Sequence, residues 1–304
     1  MSLIILGSVA FDALETPFGK TDKIVGGAAS YAALAASYLY EKVKIISVVG
    51  EDFGNENLTK FTSRHIDIKG IQIKKGEKSF FWAGKYHNDM NSRDTLITEL
   101  NVLGDFDPII PPSYQGTDYI LLGNLSPQVQ ITALKRLEKR PKLVVLDTMN
   151  FWMDNALAHL KEVLKHVDVL TINDEEARQL SGQYALVKAA EIILQMGPSY
   201  LIIKKGEHGA LLFGENSIFA APALPLAEVF DPTGAGDTFA GGFIGYLAKK
   251  GEIGFNQMKA AVIYGSALAS FCVEQFGTSR LEQLTLEEIN QRLQQFSTLT
   301  TFQI

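Results

Sequence analysis

Apolar and polar positions along the chain fall into blocks that repeat a strand–helix rhythm. Leu3–Leu6 is a short apolar run closed by Gly7, the pattern of a buried strand. Gly26-Gly27 opens a small-residue helical stretch that ends near Glu41. Val43–Val49 is a second buried-type strand closed by Gly50, and Phe53–Arg64 has helical spacing. A βαβα start of this kind points to a parallel sheet with helices on its faces. The rhythm breaks over 69–100, where the β-type patches Ile71–Ile73 and Ser79–Tyr86 have no clear helix between them, and Asp105–Pro112 reads as a proline-containing connector. It resumes with strands predicted at Tyr119–Leu122, Leu143–Leu146, Val167–Thr171 and Tyr200–Ile203, and helices at Pro127–Glu138, Asp154–Lys165 and Asp174–Leu180. After Gly209 a meander (Ala210–Phe213, Ser217–Ala220) precedes helices at Gly236–Lys249, Phe255 to about Gln275, and Leu286–Phe296. The predicted architecture is one α/β domain over 1–304, with a small β lid formed by about 11–24 and 69–100. Strand ends and first helix turns on one sheet edge should line the site.

Composition narrows the partners. The 304 residues are 46% hydrophobic and 20% charged, enough apolar surface for a full core. Lys plus Arg number 28 against 34 Asp plus Glu, a formal net charge of −6, which argues against nucleic acid as the main partner. Cys272 is the one cysteine, so neither an internal disulfide nor a Cys-rich zinc site can form, in keeping with a reducing cytoplasm. No apolar stretch reaches the roughly 18 residues of a membrane helix. The opening Met-Ser-Leu-Ile-Ile-Leu-Gly lacks the basic region and cleavage site of a signal peptide and reads as a strand. A cytoplasmic protein with a small-molecule substrate is expected.

The most informative stretch is Asp231-Pro232-Thr233-Gly234-Ala235-Gly236-Asp237-Thr238-Phe239. Small residues just before a helical run let backbone approach a ligand, and the first amides of that helix favour an anion such as a triphosphate. Asp237 stands at the same place and can act as general base toward a hydroxyl. Together these are what phosphoryl transfer needs. Taken alone, Asp237 reads equally well as a helix N-cap. No Walker A, Rossmann G-x-G-x-x-G or HExxH pattern occurs in the chain.

Asp231 to Phe239 resembles the C-terminal signature of the ribokinase-like (PfkB) carbohydrate kinase family. Four further stretches resemble that family's motifs, in its order: Gly26-Gly27 with the following small-residue helix, Val49-Gly50-Glu51-Asp52-Phe53-Gly54, Asn173-Asp174-Glu175-Glu176, and Ile203-Lys204-Lys205-Gly206-Glu207-His208-Gly209. The resemblance covers almost the whole chain. It implies a three-layer sandwich with a mostly parallel central sheet and a small β-sheet lid, and an ATP- and Mg²⁺-dependent kinase of a sugar or sugar derivative. It implies Asp237 as base, and Gly234, Ala235 and Gly236 as the anion hole. Asn173 and Glu176 would organise Mg²⁺ through water and touch the phosphates. Lys204, Gly206 and Gly209 would border the nucleotide. Asp12, Gly26 and Gly27 would meet the substrate. Asp231 and Thr233 match the positions of a monovalent cation (K⁺) site. The unpaired edges of a β lid would suit a homodimer contact, in line with the family's habits.

The chain also departs from the family. The position four residues after Gly27, usually an Asn that binds a sugar hydroxyl, is Tyr31. A phenol cannot copy a carboxamide's paired donor and acceptor. The Asp-Pro-Asn-x-Arg stretch appears as Asp147-Thr148-Met149-Asn150-Phe151-Trp152, without the Arg. The lid segment is aromatic (Phe80, Phe81, Trp82, Tyr86) and carries Lys85, His87 and Arg93. It reads either as a hydrophobic lid core with solvated charges, or as a platform that stacks on a ring and meets an anion. Tyr31 and this lid motivate the alternative acceptor, a nucleoside or hydroxymethylpyrimidine-type ring. Asn124 and Asn150 are predicted at strand ends facing the crevice, as substrate contacts or turn residues.

Overall fold

The computed structural model describes residues 1–301. In chain order it builds β1 (Leu3–Leu6), β2 (Ala10–Thr16), β3 (Gly19–Lys20), β4 (Ile24–Gly26), α1 (Ala28–Ser37), β5 (Val43–Gly50), α2 (Gly54–Thr62), β6 (Asp67–Lys74), β7 (Phe81–Tyr86) and β8 (Arg93–Glu99). There follow β9 (Tyr119–Leu122), α3 (Pro127–Lys135), β10 (Leu143–Asp147), α4 (Asn150–Asn155), α5 (Leu157–Leu164), β11 (Val169–Asn173), α6 (Asp174–Ser181), α7 (Leu186–Leu194) and β12 (Tyr200–Lys204). The chain closes with β13 (Ala210–Gly214), β14 (Ser217–Ala221), α8 (Ala235–Lys250), α9 (Phe255–Cys272), α10 (Ser279–Gln283) and α11 (Leu286–Thr300).

A nine-stranded sheet runs β14-β13-β12-β11-β10-β9-β1-β5-β6. It is parallel from β12 to β6, with β13 and β14 added antiparallel. Alternate residues of β1 enter opposite cores. Leu3 and Ile5 pack with α1, α8 and α9, while Ile4 and Leu6 pack with α3, α5, α6 and α7. Burial on both faces is why these strands read as unbroken apolar runs. The result is the three-layer, mostly parallel architecture expected from the sequence.

The smaller sheet, β3-β2-β7-β8 with β4 pairing Ala10–Asp12 of β2 on the side away from β7, stands over the C-terminal edge of the large one. Its extent corrects one expectation. Residues 67–74 do not join the lid; they pair parallel with β5 as the edge strand of the large sheet, from Lys44↔Asp67 to Gly50↔Lys74. The patch at Ile71–Ile73 looked like lid because it is only half covered, as an edge strand is. The second strand of the lid hairpin, β8, is exposed along its whole length, and its two apolar residues, Leu96 and Ile97, are adjacent, so it has no alternating pattern to find. Helix α7 is a further element that the sequence pattern does not predict.

Helices α1 and α8 pack closely because both are built of small residues. A Cβ on Gly241 would lie 2.1 Å from the Ala32 carbonyl oxygen. This contact locks the helix after Gly27 to the helix after Gly234. Helix α8 starts and stops at left-handed glycines, Gly234 (φ 75°) and Gly251 (φ 74°), with Lys249 and Lys250 in its last turn complementing the helix dipole.

Candidate active site

Adjacent parallel strands deliver polar residues to one edge of the sheet. Asp147 ends β10, Asn173 ends β11 and Lys204 ends β12, in the registers Asp147↔Thr171 and Asn173↔Lys204. The Lys204 ammonium donates to Asp147 Oδ1 at 3.0 Å, and Thr171 Oγ1 donates to the same oxygen at 3.0 Å. Asn173 caps α6. Its Oδ1 accepts from the Glu176 amide, and Glu176 Oε2 accepts from the Asn173 amide, each at 2.8 Å. Glu176 is buried, and burial lifts its carboxyl to about 7 against the opposing pull of Lys204.

The first turn of α8 meets this row. The Ala235 amide bonds back to Pro232 and the Thr238 amide to Gly234. The Gly236 and Asp237 amides lie in the first turn, where the helix itself offers no acceptor. Lys204 sits against them: a Cβ on Gly236 would be 3.0 Å from its Nζ. Burial raises the Asp237 carboxyl to about 7. Asp147 pushes in the same direction, while Lys204 and Arg93 oppose. Its affinity for a proton is thereby raised well above that of an ordinary carboxylate.

On the lid side, Asp12 of β2 is 4% exposed and lies over Gly26, whose Cβ would fall 1.9 Å from its Oδ2. Burial, then Asp231 and Asp237, lift Asp12 to about 8. Gly27 is required by its φ of 91° and by the Ser8 carbonyl, 2.5 Å from where a Cβ would be. Trp82 is the register partner of Asp12 and so shares its face of the small sheet. Asp231 is fully engaged, with Oδ1 accepting from the Thr233 amide and Oδ2 from the Gly277 amide, both at 2.9 Å. Thr233 Oγ1 donates to the Tyr86 hydroxyl of the lid at 3.1 Å. The lid hairpin reaches across to the far side, where Asn91 Oδ1 would be 3.2 Å from a Cβ on Gly206 (φ 55°). Arg93, paired with Tyr86 across the hairpin, lies close enough for its charge to act on both Asp237 and Glu176.

Most residues singled out from the sequence meet in this crevice; four do not serve as expected. Tyr31 is 1% exposed, with its ring beneath Gly234, so it offers the crevice no surface. Asn124 has its carboxamide already held by Trp152 Nε1 (2.8 Å) and the Met149 sulfur (2.9 Å). Asn150 is exposed at the start of α4 and bonds the Phe151 amide. Gly209 is buried against the chain's own backbone: a Cβ there would be 2.0 Å from the Ala221 carbonyl oxygen. Its glycine serves close approach of the strand leaving β14. Asp147 was passed over, although an Asp closing the apolar run Leu143–Leu146 was the available signal.

First-turn amides, Lys204 and Arg93 favour an anion, and Asp237 beside them can take a proton. Among the described residues no group of three His, Cys, Asp or Glu could ligate a metal directly. The oxygens of Asp147, Asn173 and Glu176 suit Mg²⁺, which keeps its waters and takes phosphate oxygens as further ligands.

A match to the pfkB family of carbohydrate kinases spans residues 8–284. The chain belongs to that family. Its reaction class is therefore ATP-dependent phosphoryl transfer. The chain is 32% identical over 250 residues to the cytidine kinase of Thermococcus kodakarensis, covering 80% of this chain and 87% of the relative. It is 24% identical over 257 residues to a nucleoside kinase of Methanocaldococcus jannaschii, covering 84% and 81%. The crystal structure of a nucleoside kinase from that archaeon superposes with a TM-score of 0.77 at 22% identity, over 97% of this kinase and 98% of the other. A putative ribokinase II from E. coli, solved with ATP and Mg²⁺, superposes with a TM-score of 0.79 at 20% identity, over 96% and 99%. These likenesses place the kinase in the ribokinase-like fold. Among the described residues no helix is long and apolar enough to cross a membrane.

Proposed function

We propose that this kinase transfers the γ-phosphoryl group of ATP to a hydroxyl of an uncharged nucleoside, with Asp237 as general base. The observation that carries the reading is Asp237, raised to about 7, in the first turn of α8 where Gly236 lies against the Lys204 ammonium. The acceptor O–H bond breaks toward Asp237, the acceptor oxygen bonds phosphorus, and the bond to the β-phosphate oxygen breaks to release ADP. The amides around Gly234, Ala235 and Gly236, with Lys204, stabilise charge on the moving phosphoryl. Mg²⁺ bound to the polyphosphate would neutralise charge there, its waters held by Asn173, Glu176 and Asp147. Gly206 would border the nucleotide.

The acceptor preference rests on charge, a ring and kinship. Asp12 and Asp231 line the acceptor side, and no Lys or Arg counts among the charges acting on either. With no cation on that side, a phosphosugar or sugar acid finds no partner for its charge, whereas the Asp12 carboxyl can exchange hydrogen bonds with a ribose diol. Trp82, in register with Asp12, offers a face for a base. The two relatives above named cytidine kinase and nucleoside kinase point the same way. A free sugar is the second reading, because Asp12 would serve its hydroxyls equally. Coupled ADP release with cytidine, other nucleosides, ribose and sugar phosphates separates them; turnover confined to phosphosugars would overturn the charge argument.

Two further assignments belong to this reading. Asp231 and Thr233 shape a turn whose carbonyls would hold K⁺, tested by exchanging K⁺ for a bulky organic cation. The edge strand β8, exposed throughout with Leu96 and Ile97 on it, suits a second copy of the chain. Sedimentation of the wild type and of Leu96→Lys tests that contact.

A further inference from the structure

Tyr31 lies in the first turn of α1, and its geometry is unusual in two ways. A Cβ on Gly234 would lie 2.4 Å from Cδ1 and 2.5 Å from Cδ2 and Cε1 of the Tyr31 ring. Carbons from both sides of the ring are equally near, so its flat face, not its edge, is turned to the Gly234 backbone. The hydroxyl, in contrast, is buried with no hydrogen-bond partner among the described residues, near Asp12, Asp231, Cys272 and Tyr86.

We propose that Tyr31 is a positioning residue: its ring face holds Gly234 in the left-handed conformation that aims the first-turn amides and Asp237 at the phosphoryl group. Glycine has no side chain to restrain its own dihedrals, and φ near 75° is one of several it visits freely. Something outside must select that conformation. The mount is stiff, since α1 and α8 are locked where Gly241 meets Ala32. The loop that carries the anion hole thus rests on one buried aromatic ring. The ring face, not the hydroxyl, carries this role.

This inference rests on the anion-hole reading, and the experiment keeps the two apart. Turnover of wild-type enzyme on the acceptor panel tests the reading; the Tyr31 variants, compared with wild type on the same acceptor, test the inference. Tyr31→Phe keeps the flat face and loses no hydrogen bond. Its kcat should stay within about twofold of wild type and its melting temperature should be unchanged or higher. Tyr31→Met keeps bulk without a flat face. Its kcat should fall about 10- to 100-fold, since an ångström of misplacement at a reacting centre costs on that order. KM for ATP and acceptor should stay within about threefold, because the effect is confined to the transition state. Calorimetry supplies a readout besides turnover: binding of MgADP with fluoroaluminate and acceptor should weaken in Tyr31→Met while MgATP binding is kept. If Tyr31→Met does not bind MgATP, Tyr31→Leu takes its place with the same expectations. Wild-type kcat in the variant lacking a flat ring would overturn the proposal. So would a Tyr31→Phe enzyme whose acceptor KM rises more than about tenfold at constant kcat, since that would make the hydroxyl a substrate contact.

Discussion

Replacing Asp237 by Asn removes a carboxylate that the fold holds at a cost, so the variant should lose activity and gain stability together. The carboxyl is lifted from 3.8 to about 7, chiefly by burial and then by Asp147. At about 1.4 kcal/mol per unit, a shift of roughly three units sets an upper limit of ~4 kcal/mol. Lys204 and Arg93 oppose the shift and would lose a favourable neighbour in the variant, so a net gain of about 1–2 kcal/mol is expected. For a chain of this size that is a rise of roughly 2–6 °C in melting temperature. The pH dependence carries the sign. A carboxyl with a raised folded-state pKa leaves the native state unpenalised below the unfolded value near 3.8, and that stability is lost as pH rises through about 7. The advantage of Asn over Asp should therefore be small near pH 4.5 and full above pH 7.5. Calorimetric melts of nucleotide-free enzyme at those two pH values measure it, with coupled ADP release on the same samples. A variant that is less stable than wild type at pH 8, or equally better at both pH values, would refute the buried-carboxylate argument.

Other consequences are checked by simpler assays. The kcat/KM profile should fall on the acid side with an apparent pKa near 7, as Asp237 takes up its proton; a flat profile down to pH 5.5 would exclude it as the base. Arg93→Gln should lower kcat by about 10-fold or more while leaving ATP binding nearly intact, since the lid brings its charge to Asp237 and Glu176 without an ion pair to either; steady-state kinetics at saturating ATP measure this. Asp147→Asn should weaken the hold on Lys204 and raise the Mg²⁺ concentration needed for half-maximal rate, read from Mg²⁺ titrations of turnover. Gly234→Ala should lose nearly all activity and destabilise the protein by about 1–3 kcal/mol, from its positive φ and the ring beneath it, measured by denaturant unfolding.

Much of the architecture was legible because buried parallel strands leave unbroken apolar runs. Leu3–Leu6, Tyr119–Leu122 and Tyr200–Ile203 were read within a residue of their final bounds. The lid was harder. Strand β8 is exposed on both faces, and β6 is an edge strand whose half-polar pattern matched a lid as well as a sheet margin. At the site, Asp237 and its glycines announced themselves as a contiguous motif. Asp147 did not, because it joins Lys204 only through the sheet, 57 positions along the chain. Tyr31 shows the opposite failure. Its place in the motif suggested a substrate contact, but a ring of that size beside a bare glycine backbone packs under the loop instead of facing the crevice. Asn124 likewise found an internal partner in Trp152, a pairing that sequence spacing does not reveal.

The central claim is tested most directly by ADP release from MgATP with cytidine as acceptor, run beside ribose, a hexose phosphate and the Asp237→Asn enzyme. Turnover with the nucleoside, little with the phosphosugar, and loss of turnover in the variant with MgATP still bound is the expected result. Preferred turnover on a sugar phosphate, or near-normal rates without the Asp237 carboxylate, would contradict the account.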